Sequence, residues 1–321
     1  MLEIQGHRGA RGLKPENTLP SFEAALDAGA SSIETDVHLT RDGVPILAHD
    51  AVVSERLFRL IPGSESPPPS PQLLIRTLTL DQLRGYRADR NPDAGRFPEQ
   101  DARVTPLAET FSAKRGLDSF TPPTVADFIA FVEAYAADPG KSDLVRLRAR
   151  GMRFDLELKR VPFHPETMGD SFDGEKPGEL ETRLVEVLRA ANVLDRTTVR
   201  SFDHRCVRAI GWLEPRLTRA VLVAGTAPVD PVTLVRQAEA TIYCPDYTFL
   251  DSAQVRLLHA ANVRVLPWTV NRPEDWRRLL EWGVDGITTD YPDRLSAFLS
   301  GQVEPTTETP RHREEGKNQS I

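Results

Sequence analysis

Covalent cross-links have almost no place in this chain. Its 321 residues include only two cysteines, Cys206 and Cys244. That is too few for a disulfide framework, and the pair lacks the close spacing of a cysteine metal site, so both read as reduced, partly buried thiols. No apolar run approaches the ~20 residues that a membrane-spanning helix requires. The opening residues Met1-Leu2-Glu3-Ile4 offer neither the basic region nor the apolar stretch of a secretory signal. They enter a strand at once, and a cytoplasmic protein is expected. Positive charge is also in short supply. A formal net charge of −7 argues against a general nucleic-acid binder, whose affinity rests on a basic surface. An anionic ligand would have to be attracted locally, by a metal ion and a few placed cations. Neither a Gly-x-Gly-x-x-Gly nor a Walker-type loop occurs, which weakens a nucleotide-binding reading. What remains, with 40% apolar and 27% charged residues, is the composition of a soluble globular protein.

Strand-like and helix-like patterns alternate along the chain. Strands are expected at Leu2–Gly6, Ile33–Val37, Val44–Ala48, Arg153–Leu158, Thr197–Ser201, Thr218–Val223, Thr241–Cys244, Val263–Thr269 and Gly286–Thr289. Helices are expected between them, at Ser21–Ala28, Val125–Ala136, Leu180–Ala190, His204–Gly211, Pro231–Ala238, Ser252–Ala260 and Glu274–Trp282. In the first helix Phe22, Ala25 and Leu26 recur at helical spacing. Asn17 or Thr18 can cap its start, Pro20 suits its first turn and Gly29 its end. Repeated β-then-α order implies a parallel sheet with right-handed crossovers. About eight such units in this length favour a closed (β/α)8 barrel over an open doubly wound sheet.

Two stretches break the rhythm. Residues 51–122 are rich in Pro, Ser and Arg and hold only short helical signals such as Leu80–Tyr86; residues 160–178 carry little periodicity. Both follow segments that carry chemistry, and loops this long are usually functional or disordered. The chain is therefore read as a barrel from 1–50 and 123–300, with 51–122 inserted after the second strand region over the active-site face. Residues 301–321 read as a disordered polar tail.

Strand alternation identifies the candidate site. In Ile33-Glu34-Thr35-Asp36-Val37 the residues Ile33, Thr35 and Val37 share one face, which leaves Glu34 and Asp36 pointing into the barrel. In Arg153-Phe154-Asp155-Leu156-Glu157-Leu158-Lys159 the residues Asp155, Glu157 and Lys159 do the same. Carboxylates forced together in a core are costly unless paired or bound to metal. Glu34, Asp36 and Glu157 form an oxygen-only set that suits magnesium or calcium better than zinc. His7 and His49 sit at strand ends and can exchange protons near neutral pH. Arg8 can bind a phosphate oxygen. Lys159 either meets a phosphoryl oxygen or pairs with an inward acid. Asp155 reads as structural, and Asp50 either orients His49 or caps a turn.

Taken in order, these islands resemble the glycerophosphodiester phosphodiesterase family. The resemblance runs through Gly6-His7-Arg8-Gly9-Ala10, Pro15-Glu16-Asn17-Thr18, Glu34-Thr35-Asp36-Val37, His49-Asp50, Glu157-Leu158-Lys159, Ser201-Phe202, Trp268-Thr269-Val270-Asn271 and Gly283-Val284-Asp285-Gly286-Ile287-Thr288-Thr289-Asp290-Tyr291-Pro292. It implies a TIM barrel similar to that of phosphoinositide-specific phospholipases C. It further implies one divalent cation, magnesium or calcium, on Glu34, Asp36 and Glu157. Acid–base work would fall to His7 and His49, and phosphoryl binding to Arg8 and Lys159. Trp268 and Phe202 would line the substrate pocket or fill the barrel top. The expected reaction splits a small glycerophosphodiester into glycerol 3-phosphate and an alcohol, through a cyclic phosphate or by direct water attack. Two rivals remain open. One is a phospholipase D-type action on lysophospholipids, with an acyl groove built from Leu57-Phe58-Arg59-Leu60-Ile61 and Leu73-Leu74-Ile75. The other is a barrel that binds phosphodiesters without turnover. The oligomeric state is left open.

Overall fold

A computed structural model of the chain describes residues 2–65 and 73–302; the tail beyond 302 and the Pro-rich stretch 66–72 lie outside the described residues. Eight parallel strands form the frame: β1 (Glu3–Gly6), β2 (Ser32–Leu39), β3 (Arg153–Leu158), β4 (Thr197–Ser201), β5 (Thr218–Val223), β6 (Ile242–Pro245), β7 (Arg264–Val265) and β8 (Gly286–Thr289). Their order is β7-β6-β5-β4-β3-β2-β1-β8. The two ends of that order meet: Asp285 N donates to Val265 O and Thr288 N to Pro267 O, each at 3.0 Å. The sheet is thereby a (β/α)8 barrel, as the alternation of patterns implied.

Helices follow the strands: α1 (Leu19–Asp27), α2 (Val125–Ala137), α3 (Glu179–Ala190), α4 (His204–Leu213), α5 (Pro231–Gln237), α6 (Ser252–Ala260), α7 (Pro273–Trp282) and α8 (Pro292–Leu299). Their starts are chemically marked. Thr18 caps α1 by accepting from Ser21 N, and Thr124 caps α2 in a reciprocal box with Asp127, which satisfies amides that a helix leaves without partners. Asp203, Asp230 and Asp251 cap α4, α5 and α6 in the same way. The outward faces of the strands meet these helices in one apolar layer. Phe22 of α1, Phe128 of α2 and Phe154 of β3 stack in series, with ring centroids 4.3 and 5.2 Å apart.

The barrel lumen divides into two halves. Around β1, β3, β4 and β8 it is polar: Gln5 donates to Asp155 at 2.8 Å, Thr288 donates to Gln5 at 2.6 Å, and the guanidinium of Arg200 pairs with both Asp155 and Gln5. Arg200 is fully buried, and a buried charge needs such complete pairing. Around β5, β6 and β7 the lumen is apolar, filled by Ala220, Leu222, Ile242, Cys244 and Leu266, with Trp268 packed against them. Both cysteines are buried and unpaired.

Three sequence expectations need correction. The seventh strand is Arg264–Val265, much shorter than Val263–Thr269. Pro267 has no N–H to offer a ladder, and pairing continues as separate bonds such as Leu266 N to Tyr243 O at 2.9 Å and as an isolated parallel bridge between Asp246 and Trp268. Val44–Ala48 forms a short strand, Pro45–Leu47, that runs antiparallel to β2 and stands outside the barrel order. Helices at Pro106–Ala113, Asp143–Arg150 and Pro292–Leu299 were not foreseen. The second of these buries only Ala149 while Leu144 and Leu147 stay exposed, so its apolar periodicity carries little signal.

Within 51–122, Leu57, Phe58, Ile75, Leu78, Leu83, Tyr86 and Ala88 form a small core with Ile46 and Ala48. Leu57, Phe58 and Ile75 are thus committed to packing and do not form an acyl groove. The 160–178 stretch is anchored from within. Arg160 donates to Asp170 and Glu181, and Asp170 also accepts Leu180 N at 3.0 Å. No helix among the described residues is long and apolar enough to cross a membrane.

Candidate active site

The first β/α loop is built to bring Arg8 and its neighbours against β2. Arg8 and Gly9 both adopt left-handed backbone, with φ of 51° and 87°. A Cβ on Gly9 would lie 2.4 Å from Ser21 Oγ, so only glycine fits between the loop and α1. Ser21 Oγ closes the turn, donating to Arg8 O and accepting from Ala10 N, both at 2.9 Å. The Arg8 amide then donates to Glu34 at 3.0 Å.

Parallel pairing sets Asp36 beside Glu157 and Glu34 beside Asp155. The carboxylates of Glu34, Asp36 and Glu157 each offer an oxygen within 4.8 Å of the others, and all three residues are buried. Asp155, one layer lower, is turned to Arg200 and Gln5 and takes no part. Lys159 Nζ lies 2.8 Å from Glu157 and 3.5 Å from Asp36. Arg8 reaches Glu16 at 2.8 Å and Asp36 at 3.2 Å. Both cations therefore stand against the acidic cluster.

Electrostatics separate the two acids of β2. Burial, reinforced by the nearby charge of Asp36, pushes the Glu34 carboxyl well above its usual range. Burial would push Asp36 the same way, but the charges of Arg8, Lys159 and His49 and the Asn17 hydrogen bond hold it well below. Asp36 Oδ1 is buried without a hydrogen-bond partner. A buried carboxylate oxygen with no hydrogen bond, and only the Lys159 ammonium at 3.5 Å, is the feature a hard divalent cation completes, since such ions take carboxylate oxygens. The donor set fits magnesium or calcium.

His7 follows β1 and points one nitrogen each way. Its Nδ1 lies 2.6 Å from Asp290 Oδ1, while its Nε2 lies 3.9 Å from Glu34. Burial lowers its pKa to about 4, with Arg8 and Arg11 acting in the same direction against the attraction of Asp290. His49 lies at the rim, one third exposed, with Nδ1 2.7 Å from Asp50. Asp50 thus orients His49. On the apolar side of the lumen, Trp268 and Phe202 meet edge to face with centroids 5.6 Å apart. The indole N–H donates to Cys244 O at 2.9 Å, and Phe202 is 43% exposed.

Several participants carried no role in the sequence reading. Asn17 donates to Asp36 at 2.9 Å and accepts from Thr35 at 2.6 Å. Glu16 accepts both Arg8 and Arg11. Asp290 and Asn271 stand behind His7. His38, buried on β2, donates from Nε2 to the backbone oxygen of His49 at 3.1 Å. Glu16, Asn17, Asn271 and Asp290 all lie within the motif islands, which was the available signal. Their partners are up to 283 residues away in sequence, which is why no spacing reveals them.

The fold and the site define a class: a parallel barrel with a carboxylate cluster, two carboxylate-held histidines and two cations at the ends of its first strands. The pattern of the glycerophosphoryl diester phosphodiesterase family matches residues 7–149 and 159–294, and the chain belongs to that family. It is 28% identical over 304 residues to the uncharacterized protein YqiK of Bacillus subtilis, covering 94% of this chain and all of that one. It is 29% identical over 297 residues to a glycerophosphodiester phosphodiesterase of Bacillus altitudinis, covering 92% of this chain and 96% of the relative. A crystal structure from Silicibacter pomeroyi, of a protein named for the same activity, superposes with a TM-score of 0.74 at 26% identity, covering 94% of each chain. A phosphodiesterase of Oleispira antarctica, solved with its product sn-glycerol-3-phosphate, shares the fold with a TM-score of 0.67 at 22% identity, over 93% of this chain and 96% of that one.

Proposed function

We propose that this protein is a metal-dependent hydrolase of glycerophosphodiesters, releasing glycerol 3-phosphate and an alcohol. The observation that carries the reading is the convergence of Glu34, Asp36 and Glu157, with an unsatisfied oxygen on Asp36, beside His7, Arg8 and Lys159. Family membership and the product named in the Oleispira complex support it. Glu34, Asp36 and Glu157 would hold one divalent cation, magnesium or calcium. When bound, that ion supplies Lewis acidity and offsets phosphoryl charge.

The remaining work falls to the side chains around it. One of His7 and His49 takes the proton of the attacking hydroxyl, and the other gives a proton to the departing alkoxide. The attacking hydroxyl is the glycerol 2-OH in a cyclic route, or water in a direct one. Rapid-quench sampling for a cyclic glycerophosphate separates these routes. Arg8 and Lys159 offset charge that grows on phosphorus-bound oxygens in the transition state. Trp268 and Phe202 form an apolar wall facing the polar half of the site, suited to the carbon skeleton of the substrate. Residues 51–122 are assigned as an insertion over this face, with the barrel formed by 1–50 and 123–300. The burial of Leu57, Phe58 and Ile75 in the insertion's own core favours a small diester over a lysophospholipid.

The test is release of glycerol 3-phosphate from glycerophosphocholine in EDTA, then with magnesium or calcium restored, beside Glu157→Ala. Metal-dependent release that the substitution abolishes supports the reading. Absence of release with every metal, alongside retained binding of the diester, would replace it with a non-catalytic barrel.

A further inference from the structure

The hydrogen bonds behind His7 form a chain in which every donor and acceptor is determined. Asn271 Oδ1 accepts twice, from Asp290 N at 2.9 Å and from Thr289 Oγ1 at 3.0 Å. The backbone N–H of Asp290 can only donate, so Asn271 must turn its oxygen to it, and Thr289 Oγ1, which itself accepts from Tyr291 N at 3.1 Å, gives its proton to the same oxygen. The amide of Asn271 therefore cannot be turned around, and its Nδ2 donates to Asp290 Oδ2 at 2.7 Å. Arg96, from the 51–122 segment, places its cationic guanidinium 3.6 Å from the same oxygen as an ion pair. Asp290 is fully buried and keeps its other oxygen for His7 Nδ1, at 2.6 Å. An ionised carboxylate only accepts, so His7 must carry its ring proton on Nδ1. Its Nε2 lone pair is then left on the side of Glu34, 3.9 Å away.

We propose that Asp290 is the positioning residue of His7, and that Asn271 sets the polarity with which it acts. Together they hold the imidazole as the Nδ1–H tautomer with Nε2 open to the site. This rests on the reading that His7 exchanges a proton with the substrate, and it adds which nitrogen does so and what fixes it.

The polarity argument yields an unusual pair of variants. In Asp290→Asn the new side chain offers one oxygen and one NH2. The oxygen must stay against Asn271 Nδ2 and Arg96, since a second NH2 there would face a donor and a cation. The NH2 is then directed at His7 Nδ1, which must become the acceptor, and the ring proton moves to Nε2. Adding Asn271→Asp reverses the outcome. The carboxylate now at position 271 still accepts from the backbone N–H of 290 and from Thr289, and it also accepts the NH2 at position 290. That leaves the amide oxygen at position 290 to receive His7 Nδ1–H again. Arg96 is half exposed and can follow the displaced charge.

Long-range proton–nitrogen correlation spectra of 15N-histidine-labelled protein, recorded without added metal, read the tautomer independently of turnover. Wild type is expected to show Nδ1–H at His7, Asp290→Asn to show Nε2–H, and the double variant Nδ1–H. In turnover of glycerophosphocholine, Asp290→Asn should lower kcat on the order of 10²- to 10⁴-fold, the scale of a wrong-tautomer defect, with KM changed less than about threefold. The double variant should recover at least about tenfold in kcat over the single one. A wild-type Nε2–H tautomer overturns the proposal even where Asp290→Asn does not fold. So does a folded Asp290→Asn with unchanged kcat, or a double variant with no recovery. His7→Ala keeps the two readings apart. Full activity in that variant removes His7 from the chemistry, while the spectra still judge what Asp290 and Asn271 do to the ring.

Discussion

Replacing Asp170 by asparagine should loosen the 160–178 loop by a calculable amount. Asp170 is 1% exposed and Arg160 6%. The guanidinium gives both of its ends to Asp170 while also serving Glu181. The carboxamide keeps one acceptor, turns a donor toward a cation and removes the charge. Breaking one partner of a buried pair costs about 3–5 kcal/mol. Glu181 still neutralises Arg160, which places the loss near ~3 kcal/mol. With an unfolding entropy of ~2.1 cal/mol/K per residue, that lowers Tm by about 4 °C in a chain of 321 residues. The pH dependence adds a second check. Burial favours the neutral Asp170, but the hydrogen bonds and charge of Arg160 outweigh it and hold the carboxyl below its usual range. A depressed folded pKa stabilises fully above the unfolded value of ~3.9 and is lost as pH falls through the folded value. The gap between wild type and Asp170→Asn should therefore be complete at pH ~7 and close below pH ~4. Urea titrations at both pH values measure it. A gap under ~1 kcal/mol at neutral pH, the worth of an ordinary hydrogen bond, or one that persists unchanged in acid, would refute the clasp.

Three further outcomes are expected. Asn17 has φ of 53° and donates to Asp36; Asn17→Gly keeps the backbone conformation, removes that support and should weaken magnesium binding about 10- to 100-fold by calorimetric titration. Gly9→Ala places a Cβ 2.4 Å from Ser21 Oγ at φ of 87° and should cost roughly 2–4 kcal/mol in thermal or urea unfolding; a wild-type Tm would show that the loop yields freely. Trp268→Ala removes the ring that meets Phe202 in the apolar wall and should raise KM for glycerophosphocholine about tenfold, equivalent to ~1.4 kcal/mol of lost contact with the substrate, with kcat nearly kept. Unchanged KM and kcat with a lowered Tm would mean the ring only fills the barrel top.

Sequence by itself determined the order of elements and the facing of the acids. Alternation in Ile33–Val37 and Arg153–Leu158 is a local property of extended backbone, so the inward direction of Glu34, Asp36 and Glu157 was readable before any fold was known. The cap of the first helix was readable for the same reason, since Thr18 acts on an amide only three residues away. The short seventh strand and the polar, largely exposed Asp143–Arg150 were not, because pairing and burial there depend on neighbours rather than on local pattern. Tertiary structure alone decided the pairings that connect distant segments. It set Asp290 and Asn271 behind His7, Arg200 beneath the carboxylates, and Arg96 of the 51–122 segment beside Asp290. Closure of the barrel brings β8 against β1. A hydrogen bond spanning 283 residues leaves no periodicity in the chain, because its geometry exists only once the sheet has closed.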